Sequence, residues 1–191
     1  MRIPKGALAV MAKVSKRAAS DLCFGYGGLL LEPDGWTVAT DGHIILGVRE
    51  AATIHGENSV AVPIDITLGA VSMGKARTKY AFDVVSGVID ITAGKIPQLP
   101  IQVEAYNGPN WRAIVSGTYS TESDMCYTAD PRLMAELQTF ANSISSLEIL
   151  GFGRLLERQL NVWFHRVDGE ITAFGAVLAV RMPETCEEIH I

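Results

Sequence analysis

Two aspartate–histidine neighbourhoods are the places in this chain whose residue types suit proton transfer: Asp41 with His43, and His165 with Asp168. An imidazole beside a carboxylate is common equipment for general acid–base catalysis. Neither pair has a nucleophile in a recognisable local setting, and strand positions i and i+2 share a face without necessarily touching. No HExxH, GxSxG or clustered metal-ligand pattern occurs. Gly25-Tyr26-Gly27-Gly28 and Gly151-Phe152-Gly153 lack the remaining glycines of a dinucleotide loop. Cys23, Cys126 and Cys186 are odd in number, far apart and without CxxC spacing, so they read as reduced thiols rather than a disulfide framework or zinc site. The residues point away from an enzyme: no catalytic group, metal or cofactor is expected, and a small enzyme using Asp41 and His43 stands as an alternative.

Charge offers a different chemistry. The chain carries 21 acidic and 16 basic residues, for a net charge of −5, which excludes a uniformly basic surface but not a basic patch. The segment from Met1 to Ser20 holds Arg2, Lys5, Lys13, Lys16 and Arg17 with no acid, and Lys75, Arg77 and Lys79 lie between Asp65 and Asp83. The tail reverses sign with Glu184, Glu187 and Glu188. Hydrophobic residues make up 48% and charged residues 19%, an ordinary globular balance. No apolar run approaches bilayer length, and the apolar stretch from Ala7 to Ala12 breaks at Lys13 without a cleavage site after it. A cytoplasmic protein without a membrane partner is expected.

The elements that must position these residues repeat. Pro4 precedes Leu8, Met11, Val14 and Ala18 at helical spacing, with Lys5, Lys13, Lys16 and Arg17 mostly on the other side. Strand-like runs follow at 22–31, 36–40 and 43–48, with turns at 32–35 and at Asp41-Gly42. Pro63 opens a second helix through Ile64, Leu68 and Val71, which Gly69 and Gly74 should keep short. Strands at 80–85, 88–92 and 101–105 come next. Asp130-Pro131 starts a third helix with Leu133, Leu137, Phe140 and Ile144 as its apolar stripe. Strands follow at 147–150, 160–166 and 170–180, the last two joined by Val167-Asp168-Gly169. The pattern predicts an α+β protein of about three βαβββ units, with helices on one side of antiparallel sheet. Residues 1–117 would form one domain of two units, and 118–191 a further half-domain with an acidic tail.

Three segments resemble the β sliding clamp of bacterial DNA polymerase III. Ala39-Thr40-Asp41-Gly42-His43-Ile44-Ile45-Leu46-Gly47-Val48 is similar to the string ATDGHRLAV of that family, preceded by a similar strand and turn from Gly28 to Gly35. Pro109-Asn110-Trp111-Arg112-Ala113-Ile114 resembles PDYRRV, and Val180-Arg181-Met182-Pro183 resembles the family's VMPMRL ending. The family's Arg after DGH is Ile44 here, and the second Arg of PDYRRV is Ala113. Trp111 itself reads as a packed core aromatic.

The resemblance implies a DNA-clamp-like fold and a non-enzymatic processivity factor that holds partners on DNA. It implies an apolar pocket for polymerase or repair-protein peptides, built from Cys23, Tyr26, Thr40, Gly42, His43, Ile44, Ile45, Pro109, Ile114, Val180, Met182 and Pro183. Duplex DNA would be met without sequence preference, in a salt-sensitive way, by Lys5, Lys13, Lys16, Arg17, Lys75, Arg77 and Lys79 on basic helices. The third helix, with Arg132 beside Glu136, should contribute little. A homo-oligomer is expected, and the small size suggests a phage or mobile-element origin. The alternative is a clamp mimic or adaptor that takes the same peptides without encircling DNA.

Overall fold

Prolines 4, 63 and 131 each stand at the threshold of a helix, and the three helices organise everything else. A computed structural model describes residues 2–20, 28–85, 88–92, 101–102, 104–105, 110–115, 119–120, 127–145, 153–155 and 160–181. The first unit runs β1 (Ile3–Pro4), α1 (Lys5–Ser20), β2 (Gly28–Leu31), β3 (Thr37–Thr40) and β4 (Ile44–Val48), followed by β5 (Ala52–Ile54). The second runs β6 (Val60–Pro63), α2 (Ile64–Met73), β7 (Lys79–Val85), β8 (Val88–Thr92) and β9 (Ile101–Gln102). After it come β10 (Glu104–Ala105), a short helix α3 (Trp111–Val115) and β11 (Tyr119–Ser120). The third unit is β12 (Tyr127–Ala129), α4 (Pro131–Ile144), β13 (Gly153–Leu155), β14 (Leu160–Val167) and β15 (Glu170–Arg181). The α+β class and the three units thus agree with the sequence reading. The strand expected at 147–150 lies outside the described residues.

Pairing links the units closely. A ten-stranded sheet follows the order β10-β6-β2-β3-β4-β15-β14-β13-β11, with β12 on β15. A five-stranded sheet follows β1-β7-β8-β9, with β5 parallel to β7. At its centre the large sheet pairs β4 with β15, from Val48 opposite Ala173 to Ile44 opposite Val177. The division expected after residue 117 is therefore spanned by one continuous sheet. The strand expected at 101–105 is split: β9 joins the small sheet, whereas β10 joins the large one.

Strand alternation sorts the large sheet's side chains onto two faces. Leu29, Leu31, Ala39, Ile44, Leu46, Val48, Ala173 and Val177 point to the helical side and pack with Leu8, Met11 and Val14 of α1 and with Leu137 and Phe140 of α4. Leu30, Val38, Ile45, Phe174 and Ala176 point the other way, under Trp36 and Trp111. The three long helices share the first face, as expected. The second is covered in part by α3, which the sequence pattern did not suggest. Phe174 stacks on Trp111 (5.2 Å, 15°) and meets Trp36 edge-on (5.3 Å), a geometry that aromatic quadrupoles favour. Gly47, directly opposite Phe174, leaves that ring its place: a Cβ there would lie 2.2 Å from the ring edge.

Helix α1 is buried on most of its circumference, because it wedges between the sheets, α2 and α4. Ala7, Leu8, Val10, Met11, Ala12, Val14, Ser15 and Ala18 are all buried, which leaves a narrow exposed stripe through Gly6, Lys13 and Lys16. Asp130 caps α4 by accepting from the Arg132 amide at 2.8 Å, with Pro131 at the first helical position.

Candidate functional site

The tight turn between β3 and β4 is built by its own side chains. Gly42 adopts φ +86°, a left-handed conformation open to glycine at little cost. The Asp41 Oδ1 atom accepts from the backbone amides of His43 and Ile44, at 3.0 Å each, and Thr40 Oγ1 accepts from the Gly42 amide at 3.1 Å. The contact between Asp41 and His43 thus runs through the His43 backbone and not its imidazole. The other carboxylate oxygen is engaged as well: Arg17 Nε donates to Asp41 Oδ2 at 2.7 Å. In the second candidate acid–base pair, His165 Nδ1 lies 2.8 Å from Thr172 Oγ1, while Asp168 sits in the β14–β15 turn at φ 51°. Neither pair has the geometry of an acid–base couple.

Arg17 continues into a network. Its two terminal nitrogens donate to the two Glu136 oxygens at 2.8 and 2.7 Å, and Lys13 Nζ lies 2.7 Å from Glu136 Oε1. Burial disfavours charge on both partners. Hydrogen bonds and the opposite charges outweigh it, so the Arg17 pKa is raised and the Glu136 pKa lowered. Nearby, hydrogen bonds from the Arg132 side chain and amide bring the Asp130 pKa down to about 2. These groups border a cleft of about 1070 Å³ whose lining includes His43, Leu133 and Leu178. Leu178 is 42% exposed although apolar, and its amide donates to the His43 carbonyl at 2.9 Å. The turn and the far half of β15 therefore lie side by side.

The expected pocket residues divide by sheet face. Ile45 packs in the outer cluster, and the half-buried Ile114 of α3 packs against that same cluster. Thr40 is the Cα partner of Ile45 across β3 and β4. Ile44 does not belong with them: it is 1% exposed and lies in the helix-side core, because adjacent strand residues point to opposite faces. Gly42 and His43 are exposed at the turn. Val180 lies in β15 opposite Thr128. Cys23, Tyr26, Pro109, Met182 and Pro183 fall outside the described residues. Helix α3 is tied down by Glu32, whose carboxylate accepts from Trp111 Nε1 at 2.8 Å and pairs with Arg112. Arg112 also reaches Asp34 at 2.7 Å and lies 4.4 Å above the Trp111 ring.

The expected DNA contacts also divide. Lys16, Lys75, Arg77 and Lys79 are exposed. Lys13 is 66% exposed but shares Glu136, and Arg17 is held by two carboxylates. Lys5 Nζ donates to the Gly74 carbonyl at 2.5 Å, at the end of α2. Helix α2 itself carries no basic residue; Lys75 and Arg77 stand in the turn beyond it, and Lys79 begins β7. That turn meets the start of α1, where the Lys5 amide donates to the Thr78 carbonyl at 2.9 Å. The basic groups thus gather at the two ends of α1 rather than on two equivalent helices. Sequence reasoning missed the bridging role of Glu136 and the anchoring role of Glu32, since their partners are distant in the chain; Leu178 was legible as an apolar residue two positions before Val180.

No family model and no curated protein matches the sequence. Among solved structures, the chain is similar to the DNA polymerase sliding clamp from Pseudomonas aeruginosa, with 13% identity and a TM-score of 0.51 over 95% of this chain and 66% of that one. It is likewise similar to the DNA polymerase III subunit beta from Pseudomonas aeruginosa, with 13% identity and a TM-score of 0.54 over 92% of this chain and 65% of that one. The chain therefore spans slightly less than two thirds of the length of these proteins, and what it shares with them is the sliding-clamp fold.

Proposed function

We propose that this protein acts as a non-enzymatic, clamp-like processivity or tethering factor that docks short partner peptides and touches duplex DNA without sequence preference. One observation carries the reading. Two of the three segments that resemble clamp peptide-pocket motifs meet at the outer cluster, where Ile114 of α3 packs with Ile45, and the His43 carbonyl accepts from the Leu178 amide, two residues before the third segment. An apolar concavity edged by a few polar groups is what a short linear motif needs. The docking surface would consist of Thr40, Ile45, Ile114, Leu178 and the neighbouring end of β15, with Gly42 and His43 at its rim.

Titration of a fluorescent peptide carrying a clamp-binding motif tests this directly. Saturable binding at about micromolar strength is expected, weakened at least about tenfold by Leu178→Asp with an unchanged circular dichroism spectrum. The absence of saturable binding would remove the pocket. For DNA, the exposed Lys16, Lys75, Arg77 and Lys79 are the groups to test. Reversing all four charges should abolish weak duplex binding, whose logarithm in the unaltered chain falls linearly with the logarithm of salt concentration. Binding indifferent to both changes would refute the assignment.

A second reading, an adaptor that takes peptides without contacting DNA, is favoured by the carboxylate partners of Lys13 and Arg17. It predicts the peptide result alone. Oligomeric state, measured by light scattering, separates an encircling assembly from a monomeric adaptor.

A further inference from the structure

Arg17 occupies a position that joins two surfaces. It lies on α1 one turn beyond Lys13 and next to Lys16, and its side chain is 35% exposed, so an anion arriving at that stripe can reach it. On the inner side it holds both Asp41 Oδ2 and the Glu136 carboxylate. The remaining Asp41 oxygen fixes the turn through the amides of His43 and Ile44, and the His43 carbonyl bonds β15 at Leu178. The cations Lys13 and Arg17 are balanced by Asp41 and Glu136, so a phosphate entering here must compete with two carboxylates for one guanidinium.

We propose that Arg17 is a relay: phosphate groups of a nucleic-acid backbone draw its guanidinium away from Asp41 and Glu136, and the turn at Asp41–Gly42–His43 changes its hold on the peptide-docking surface in response. Guanidinium suits the role because its forked donors bind carboxylate and phosphate with the same bidentate geometry. The coupling is reciprocal, so an occupied peptide surface alters DNA affinity by the same factor. The inference rests on the clamp-like reading proposed above and adds communication between its two surfaces.

The test follows the side-chain Nε–H signal of Arg17 and the backbone amide signals of His43 and Ile44 by NMR while a short DNA duplex is added to the full chain. In the unaltered protein all three should shift along one saturation curve. In Arg17→Gln, duplex should still bind through Lys16, Lys75, Arg77 and Lys79, while the two amides cease to respond. Peptide affinity should change about fivefold on duplex addition in the unaltered chain and not at all in that variant. Asp41→Asn, which retains the oxygen that caps the turn, gives a folded second variant and should also uncouple the surfaces. Duplex that binds without moving the His43 and Ile44 amides, or moves them equally in Arg17→Gln, overturns the relay and leaves the DNA reading standing. Failure of duplex to bind the unaltered chain overturns both.

Discussion

At the scale of single residues, the informative groups are carboxylates that read one way in the sequence and act another way in the fold. Asp41 stood beside His43 as a candidate acid–base partner, yet its oxygens are spent on two amides and a guanidinium. Glu136 looked like a modest offset to Arg132, yet it collects Arg17 and Lys13. Such pairings leave no trace in spacing or periodicity, because their partners lie on different elements, 24 positions apart for Arg17 and Asp41 and 119 for Arg17 and Glu136. What was legible was local: the Asp-Gly turn and the Asp-Pro helix start each follow from their own residues. Glu136→Gln should lower stability by about 1–2 kcal/mol, a figure reduced for the partial exposure of Arg17, as read from urea unfolding at neutral pH. The pH dependence follows from the lowered Glu136 pKa. Its contribution is complete above the ordinary carboxylate value of 4.5 and is lost as pH falls through the lower folded-state value. Acid unfolding of Glu136→Gln should therefore be less steep in that window than that of the parent protein.

At the scale of elements, the three prolines marked the helices because proline fits a helix's first turn and cannot sit in its interior. The apolar stripe of α4 was equally legible, with Leu137 and Phe140 fully buried. Helix α3 was not, since five residues give no periodicity to read. Its place is set instead by tertiary contacts to Glu32, Trp36 and Phe174. Glu32→Ala should free the Trp111 indole and shift tryptophan emission to longer wavelength, with a loss of about 1–3 kcal/mol for the orphaned donor. Gly47→Ala tests the packing on the same face. The added methyl would force the Phe174 ring to move, and an overpacking cost of about 1–3 kcal/mol should appear as a lower unfolding temperature. An unchanged unfolding temperature would mean that the ring has room to give. The pocket residues illustrate the limit of motif reading: a matched string carries Ile44 and Ile45 alike, but strand alternation sends them to opposite faces of the sheet.

At the scale of the whole molecule, the units were visible in the sequence and their joinery was not. Periodicity gives the members of each unit, but not which edges meet, and a boundary near residue 117 was the natural reading of two units followed by one. The large sheet pairs β4 directly with β15, across that boundary. A chain ended at residue 117 should consequently aggregate or remain partly unfolded, which sedimentation and hydrogen exchange would reveal; a soluble, cooperatively folding fragment would support the expected division. That central pairing also constrains how the protein comes into being. Strand β4 is made well before its partner, because the edge that will shield it leaves the ribosome only after the second unit and most of the third have been made, at a pace of roughly 5–20 residues per second. For several seconds Ile44–Val48 stands as an apolar strand with an open row of amides and carbonyls, the kind of edge that recruits neighbouring chains. The nascent protein should therefore depend on holdase chaperones, and its yield should respond to translation speed through the third unit more than to its equilibrium stability.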